Sequence, residues 1–148
     1  MDLVPLLQKV ELFEGLTPDE LQAVAGLCAE RVCHSGDTIT QQGEPGEEMF
    51  VICEGWVEVI PSTPAGGANP RAVVNLGRGQ LIGEMTLVDY GPRSASVKAI
   101  SDPTVLQAIH REQFTELCEQ DYRLGYLVMR NMAADLSFKL RHRNLTGR

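Results

Sequence analysis

The sequence predicts a mainly β domain with flanking helices, an α+β arrangement. An antiparallel β-roll or jelly-roll barrel is bracketed by N-terminal helices and a long C-terminal helix, with a short helix inserted in the roll. Three observations lead there. The hydrophobic period is helical up to about residue 30, close to two between 31 and 110, and helical again beyond that. Turn-forming residues separate nearly all the short β-like runs. A chain of 148 residues with 43% hydrophobic content is about one domain's worth and buries a core without staples.

The elements follow in order. Leu6-Leu7, Val10 and Phe13 suggest a short helix. Thr17-Pro18-Asp19-Glu20 joins a capping threonine, a first-turn proline and a glutamate three residues after the cap, so a helix is expected from about 17 to 30. Strands are expected at 38–40, 49–53, 56–60, 72–76, 95–100 and 104–109, and Pro61 to Pro70 is expected to be a flexible hairpin loop. Trp56 reads as a core or cross-strand residue. Arg111 to Glu119 predicts a short helix and Tyr122 to about Asn144 a long one, carrying Leu124, Val128-Met129, Met132-Ala133, Leu136 and Leu140 as an apolar stripe. That stripe suits either the chain's own barrel or a second copy across a homodimer seam, and the spacing leaves both open. The organisation expected is one domain over 1–148: N-terminal helices at 1–30, the roll at 31–110 and C-terminal helices at 111–146.

Composition excludes several classes. The net charge is −7, distributed as −12 over residues 1–121 and +5 over 122–148. An acidic body argues against direct nucleic-acid binding, which needs a basic surface. The apolar runs are too short to span a bilayer and no leader pattern opens the chain, so a soluble cytoplasmic protein without membrane contact is expected. Cys28, Cys33, Cys53 and Cys118 lack CxxC spacing and a histidine cluster, so no metal site is expected and the cysteines read as buried free thiols. His34, His110 and His142 are scattered and suggest no nucleophile–base pair, so no catalytic residue is assigned and an enzyme is not expected. Gly77-Arg78-Gly79-Gln80-Leu81-Ile82-Gly83 is one residue too long for a dinucleotide-binding glycine motif and reads as a turn. Asn144-Leu145-Thr146 is a glycosylation sequon by spelling only.

Residues 83–96, GEMTLVDYGPRSAS, carry the chemistry. Ile82 to Leu87 sits between two strand-like runs and ends in turn residues, which fits a single helical turn inserted into the sheet. The start of such a turn exposes unpaired N–H groups that favour an anion, and Gly83 lets a ligand approach, so amides near Met85 and Thr86 are expected to face a phosphate. Arg93 supplies a planar guanidinium for two parallel bonds to phosphate oxygens, Ser94 a hydroxyl and Ala95 a backbone N–H. Glu84 would repel that phosphate but accepts well from a ribose hydroxyl. A sugar with a free hydroxyl joined to a phosphate answers to both. In an empty site the same Glu84 and Arg93 are expected to pair with each other.

This stretch resembles the phosphate-binding cassette of cyclic nucleotide-binding domains, whose pattern runs Gly-Glu-(Leu/Met)-Ala-Leu, a short gap, then Pro-Arg-(Ala/Ser/Thr)-Ala-(Thr/Ser)-Val. The segments GDTITQQGEPGEEMFVICEGWVEV, LFEGLTPDELQAVAGLC and VLQAIHREQFTEL resemble that family's first hairpins, N-terminal helical segment and last strand into the following helix. The resemblance implies a regulatory sensor of the catabolite-activator or protein-kinase-A-regulator type, with cAMP or cGMP as ligand, no other cofactor and a protein effector of unknown kind. It implies Glu84 on the ribose 2′-OH and Arg93 on the cyclic phosphate. The amides of Gly83 to Met85 and of Ala95 complete the cradle, and Ile82, where phenylalanine is common, lines the sugar or base. Ser94 leans toward cAMP, because threonine there accompanies cGMP selectivity. Thr86 departs from the usual alanine. On the long helix Phe138, Lys139 and Arg141 are candidates to close over the base. No helix-turn-helix, channel pore or catalytic domain is legible around the resemblance, so the expectation is a freestanding sensor or a piece of something larger. The rival expectation is a β-roll that binds no nucleotide and serves interaction or dimerisation.

Overall fold

The computed structural model describes residues 2–61 and 73–145. Helix α1 (Val4–Leu7) and a 3-10 turn (Glu11–Phe13) precede α2 (Pro18–Ala25). The capping box forms as read: Glu20 N–H donates to Thr17 Oγ1 at 3.1 Å and Thr17 N–H to Glu20 Oε1 at 2.8 Å. The helix stops at Ala25 rather than near 30, with Gly26 as its cap. An unforeseen strand, β1 (Ala29–Cys33), follows and pairs with β8.

The remaining strands are β2 (Thr38–Thr40), β3 (Glu48–Glu54), β4 (Val57–Pro61), β5 (Val74–Leu76), β6 (Leu81–Ile82), β7 (Ala95–Ala99) and β8 (Thr104–His110). They form two antiparallel four-stranded sheets, ordered β1-β8-β3-β6 and β2-β7-β4-β5, rather than one closed barrel. The loop expected between Pro61 and Pro70 and the start of the strand expected at Ala72 lie outside the described residues, as does Thr146 of the sequon.

Strand β3 shows how the layers are held. Its side chains alternate, as a pleated strand requires, but both faces are buried. Phe50 and Ile52 join Leu106, Ala108, Val57 and Val97 between the two sheets. Met49, Val51 and Cys53 face the opposite way, into a helical cluster with Leu6, Phe13, Val24, Phe114, Leu124 and Val128. The roll is therefore packed against the chain's own helices.

Helices α3 (Arg111–Gln120) and α4 (Tyr122–Leu145) complete the chain. The apolar stripe of α4 divides. Leu124, Val128 and Met132 are buried in the helical cluster, while Met129, Phe138 and Leu140 are exposed. Asn131 ties the middle of α4 to the carbonyls of Leu12 at 3.0 Å and Glu14 at 2.9 Å, and Arg123 ties its start to Glu20 and to the Gly15 carbonyl. Trp56 is half exposed rather than core, lying over Gly77. Among the described residues no helix is long and apolar enough to cross a membrane.

Candidate functional site

The cassette leaves sheet one at β6, where Ile82 pairs with Phe50 of β3. Gly83 then takes a left-handed backbone (φ 80°) that starts the expected helical turn, a 3-10 turn over Glu84–Leu87. Leu87 packs on the helical cluster and anchors that turn. The loop returns through Arg93 into β7. It is held there by Gly43 N–H to the Arg93 carbonyl (2.9 Å), Arg93 N–H to the Glu44 carbonyl (2.8 Å) and Gln42 N–H to Ser96 Oγ (3.0 Å).

These elements wall a cleft of about 1410 Å³ that reaches α4. Every residue assigned to ligand binding from sequence, Ile82, Gly83, Glu84, Met85, Thr86, Arg93, Ser94 and Ala95, lines it. Their exposure differs: Ile82 and Thr86 are buried, while Met85 and Ser94 are open to solvent. Of the three candidates on α4, Lys139 lines the cleft, together with Asp135, with which it forms an ion pair at 2.9 Å. Phe138 instead lies against His142, ring centroids 3.8 Å apart, and neither it nor Arg141 is on the cleft wall.

Two expectations are corrected. Among the described residues Arg93 and Glu84 form no ion pair; Arg93 Nη2 donates to the Glu48 carbonyl at 2.8 Å. The backbone at the start of β3 holds the guanidinium, and the Phe50 ring lies 5.9 Å from its Cζ. The second correction concerns the cradle: the Thr86 N–H donates to the Gly83 carbonyl at 3.2 Å as part of the 3-10 turn, so it is not directed at the cleft.

The electrostatics follow from this packing. Burial pulls the Arg93 guanidinium below the ordinary arginine value, against the raising effect of the Glu48 carboxylate. Arginine titrates so high that it remains a full cation at neutral pH. Its Nη1 is buried without a partner, and so is Thr86 Oγ1. Leaving such a group unpaired costs about 1–3 kcal/mol, so each is a stored demand for a hydrogen bond.

Several supporting residues were not found from sequence. Gly46 touches Arg93 so closely that a Cβ there would fall 2.1 Å from Nε. Glu48 contributes a backbone carbonyl, which no side-chain pattern encodes. Arg111 sits 4.0 Å over the Tyr90 ring and donates to the Gly46 carbonyl at 3.3 Å, joining the cassette loop to the start of α3. Glu47, His110 and Glu112 also converge. His110 Nδ1 accepts from the Glu112 N–H at 3.2 Å, so the imidazole is engaged in capping α3.

Comparison with known proteins completes the description of the site. Residues 30–121 match the cyclic nucleotide-binding domain family. The cyclic AMP receptor protein of Thermus thermophilus is 38% identical over 134 residues, which cover 90% of this chain and 59% of that protein. A cyclic nucleotide-gated potassium channel of Mesorhizobium japonicum is 38% identical over 113 residues, covering 76% of this chain and 29% of the channel. The crystal structure of the Thermus thermophilus catabolite activator protein superposes with a TM-score of 0.78 at 36% identity, covering 92% of this chain and 61% of that one. The chain thus spans about three fifths or less of these proteins.

Proposed function

Because the chain belongs to the cyclic nucleotide-binding domain family, we propose that it is a regulatory module that binds a cyclic nucleotide, cAMP in preference to cGMP, and reports occupancy through α4. One observation carries the reading. The half-buried Arg93 cation, whose Nη1 is buried without a partner, lines a cleft that Glu84 shares, with the two charges unpaired to each other. Arg93 takes the cyclic phosphate, Glu84 accepts from the ribose 2′-OH, and backbone N–H groups of Gly83 to Met85 and of Ala95 add to the cradle. Ile82 supports the sugar or base. Ser94, and a relative named for cyclic AMP at 38% identity, support the adenine preference.

The output is a population shift, and nucleotide drives it only through unequal affinity for two positions of α4. The division of that helix supports this: Leu124, Val128 and Met132 are pinned in the helical cluster and Leu136 packs on it, whereas the exposed Asp135 and Lys139 line the cleft. Lys139 then closes toward the ligand, and the exposed Phe138 and Leu140 surface changes for a second copy or an effector.

Isothermal titration with cAMP and cGMP tests the reading. Arg93→Ala removes at least two charge-assisted bonds of about 1.5 kcal/mol each, so affinity should fall by about a hundredfold or more while the fold persists. Unchanged cAMP affinity in that variant refutes the site. Tighter binding of cGMP than cAMP by the wild type refutes the base preference.

A further inference from the structure

Among the described residues three buried side-chain polar atoms lack a partner: Thr86 Oγ1, Arg93 Nη1 and Arg111 Nε. Thr86 and Arg93 line the same cleft. Both also meet Gly83. The Thr86 N–H donates to its carbonyl, and a Cβ on Gly83 would lie 2.5 Å from Arg93 Nη1. Thr86 is only 7% exposed. An alanine there would leave no orphaned hydroxyl, so this polar atom is a feature of this chain that the backbone of the turn does not require.

The chemistry of the missing partner is narrow. An apolar group would leave both atoms unsatisfied, and the Arg93 charge repels a cation. An unpaired hydroxyl and an unpaired guanidinium N–H on two residues that line one cleft suit an anionic group offering more than one acceptor oxygen. The hydroxyl oxygen is buried, but threonine in a helical backbone has two accessible χ1 wells, and moving between them redirects the hydroxyl.

We propose that the Thr86 hydroxyl donates a hydrogen bond to an exocyclic phosphate oxygen of the bound cyclic nucleotide, beside Arg93. This rests on the cyclic-nucleotide reading of the cleft. The test uses the full chain, titrated with cAMP and with the two phosphorothioate diastereomers of cAMP, in each of which one exocyclic oxygen is replaced by sulfur. Thr86→Val keeps the shape and removes the hydroxyl, and should weaken cAMP binding about fivefold to tenfold. Its unliganded melting temperature should be equal or higher, because an unpaired buried hydroxyl is removed. Thr86→Ser should stay within about twofold of wild type. The Thr86→Val penalty should shrink for one diastereomer and persist for the other. Wild-type affinity in Thr86→Val, equal losses in the Val and Ser variants, or an equal penalty with both diastereomers overturns the assignment while leaving the cleft reading intact if Arg93→Ala still loses binding. A wild-type chain that binds neither cAMP nor cGMP overturns both.

Discussion

Gly46→Ala isolates the placement of Arg93 from its charge. The added methyl would sit 2.1 Å from Arg93 Nε and 2.2 Å from Cζ, whereas Cβ atoms in proteins essentially never approach a heavy atom within 3.0 Å. The guanidinium must therefore retreat by about 1 Å. It is the far end of a long side chain, so the retreat strains little else and the fold should survive with a stability change of about 1 kcal/mol or less. The hydrogen bond to the Glu48 carbonyl, now 2.8 Å, then stretches past useful length. Losing alignment of one charge-assisted bond to phosphate is worth about 1.5–3 kcal/mol, which corresponds to a tenfold to hundredfold loss of affinity. Calorimetric titration with cAMP reads that loss, and thermal denaturation checks the fold. Wild-type affinity in a folded Gly46→Ala variant would refute the argument that this glycine positions the guanidinium.

The other expectations are structural. Phe114 is fully buried and stacks on Phe13 with ring centroids 6.0 Å apart, so Phe114→Ala should cost about 3–5 kcal/mol and lower the melting temperature by roughly 10 °C; a fall under about 3 °C would contradict the central place of that ring. His34 Nδ1 lies 2.9 Å from Asp102, and that hydrogen bond and charge raise its pKa above the ordinary 6.5. Its stabilising effect is then full below the unfolded value and lost as pH rises through the raised folded value. Asp102→Asn should bring the His34 titration, followed by NMR, back toward 6.5, and an unmoved midpoint would remove Asp102 as the cause.

The cassette was legible because its groups are close in the chain: Gly83 starts the turn, Glu84 follows it, and Arg93 comes after Pro92. Strand β1 was not legible. Its residues are mostly exposed and include Glu30 and Arg31, which continue a helical reading, and only pairing with β8 makes them a strand. The two-residue β6 is likewise defined by its partner, with Phe50 opposite Ile82. In β3 the alternation was hidden because both faces are buried, one by the second sheet and one by the helices.

The sequence by itself determined the succession of helical, β and helical segments, the capping box at Thr17 and the set of side chains offered to the cleft, because each depends on spacing over a few covalently linked residues. Only the tertiary structure decided what those side chains do to one another. Glu48, 45 residues before Arg93, takes the bond that Glu84 was expected to make, and the first part of α4 is claimed by the chain's own N-terminal helices. Such partners compete through distance and burial in three dimensions, and those are set by how the sheets and helices pack.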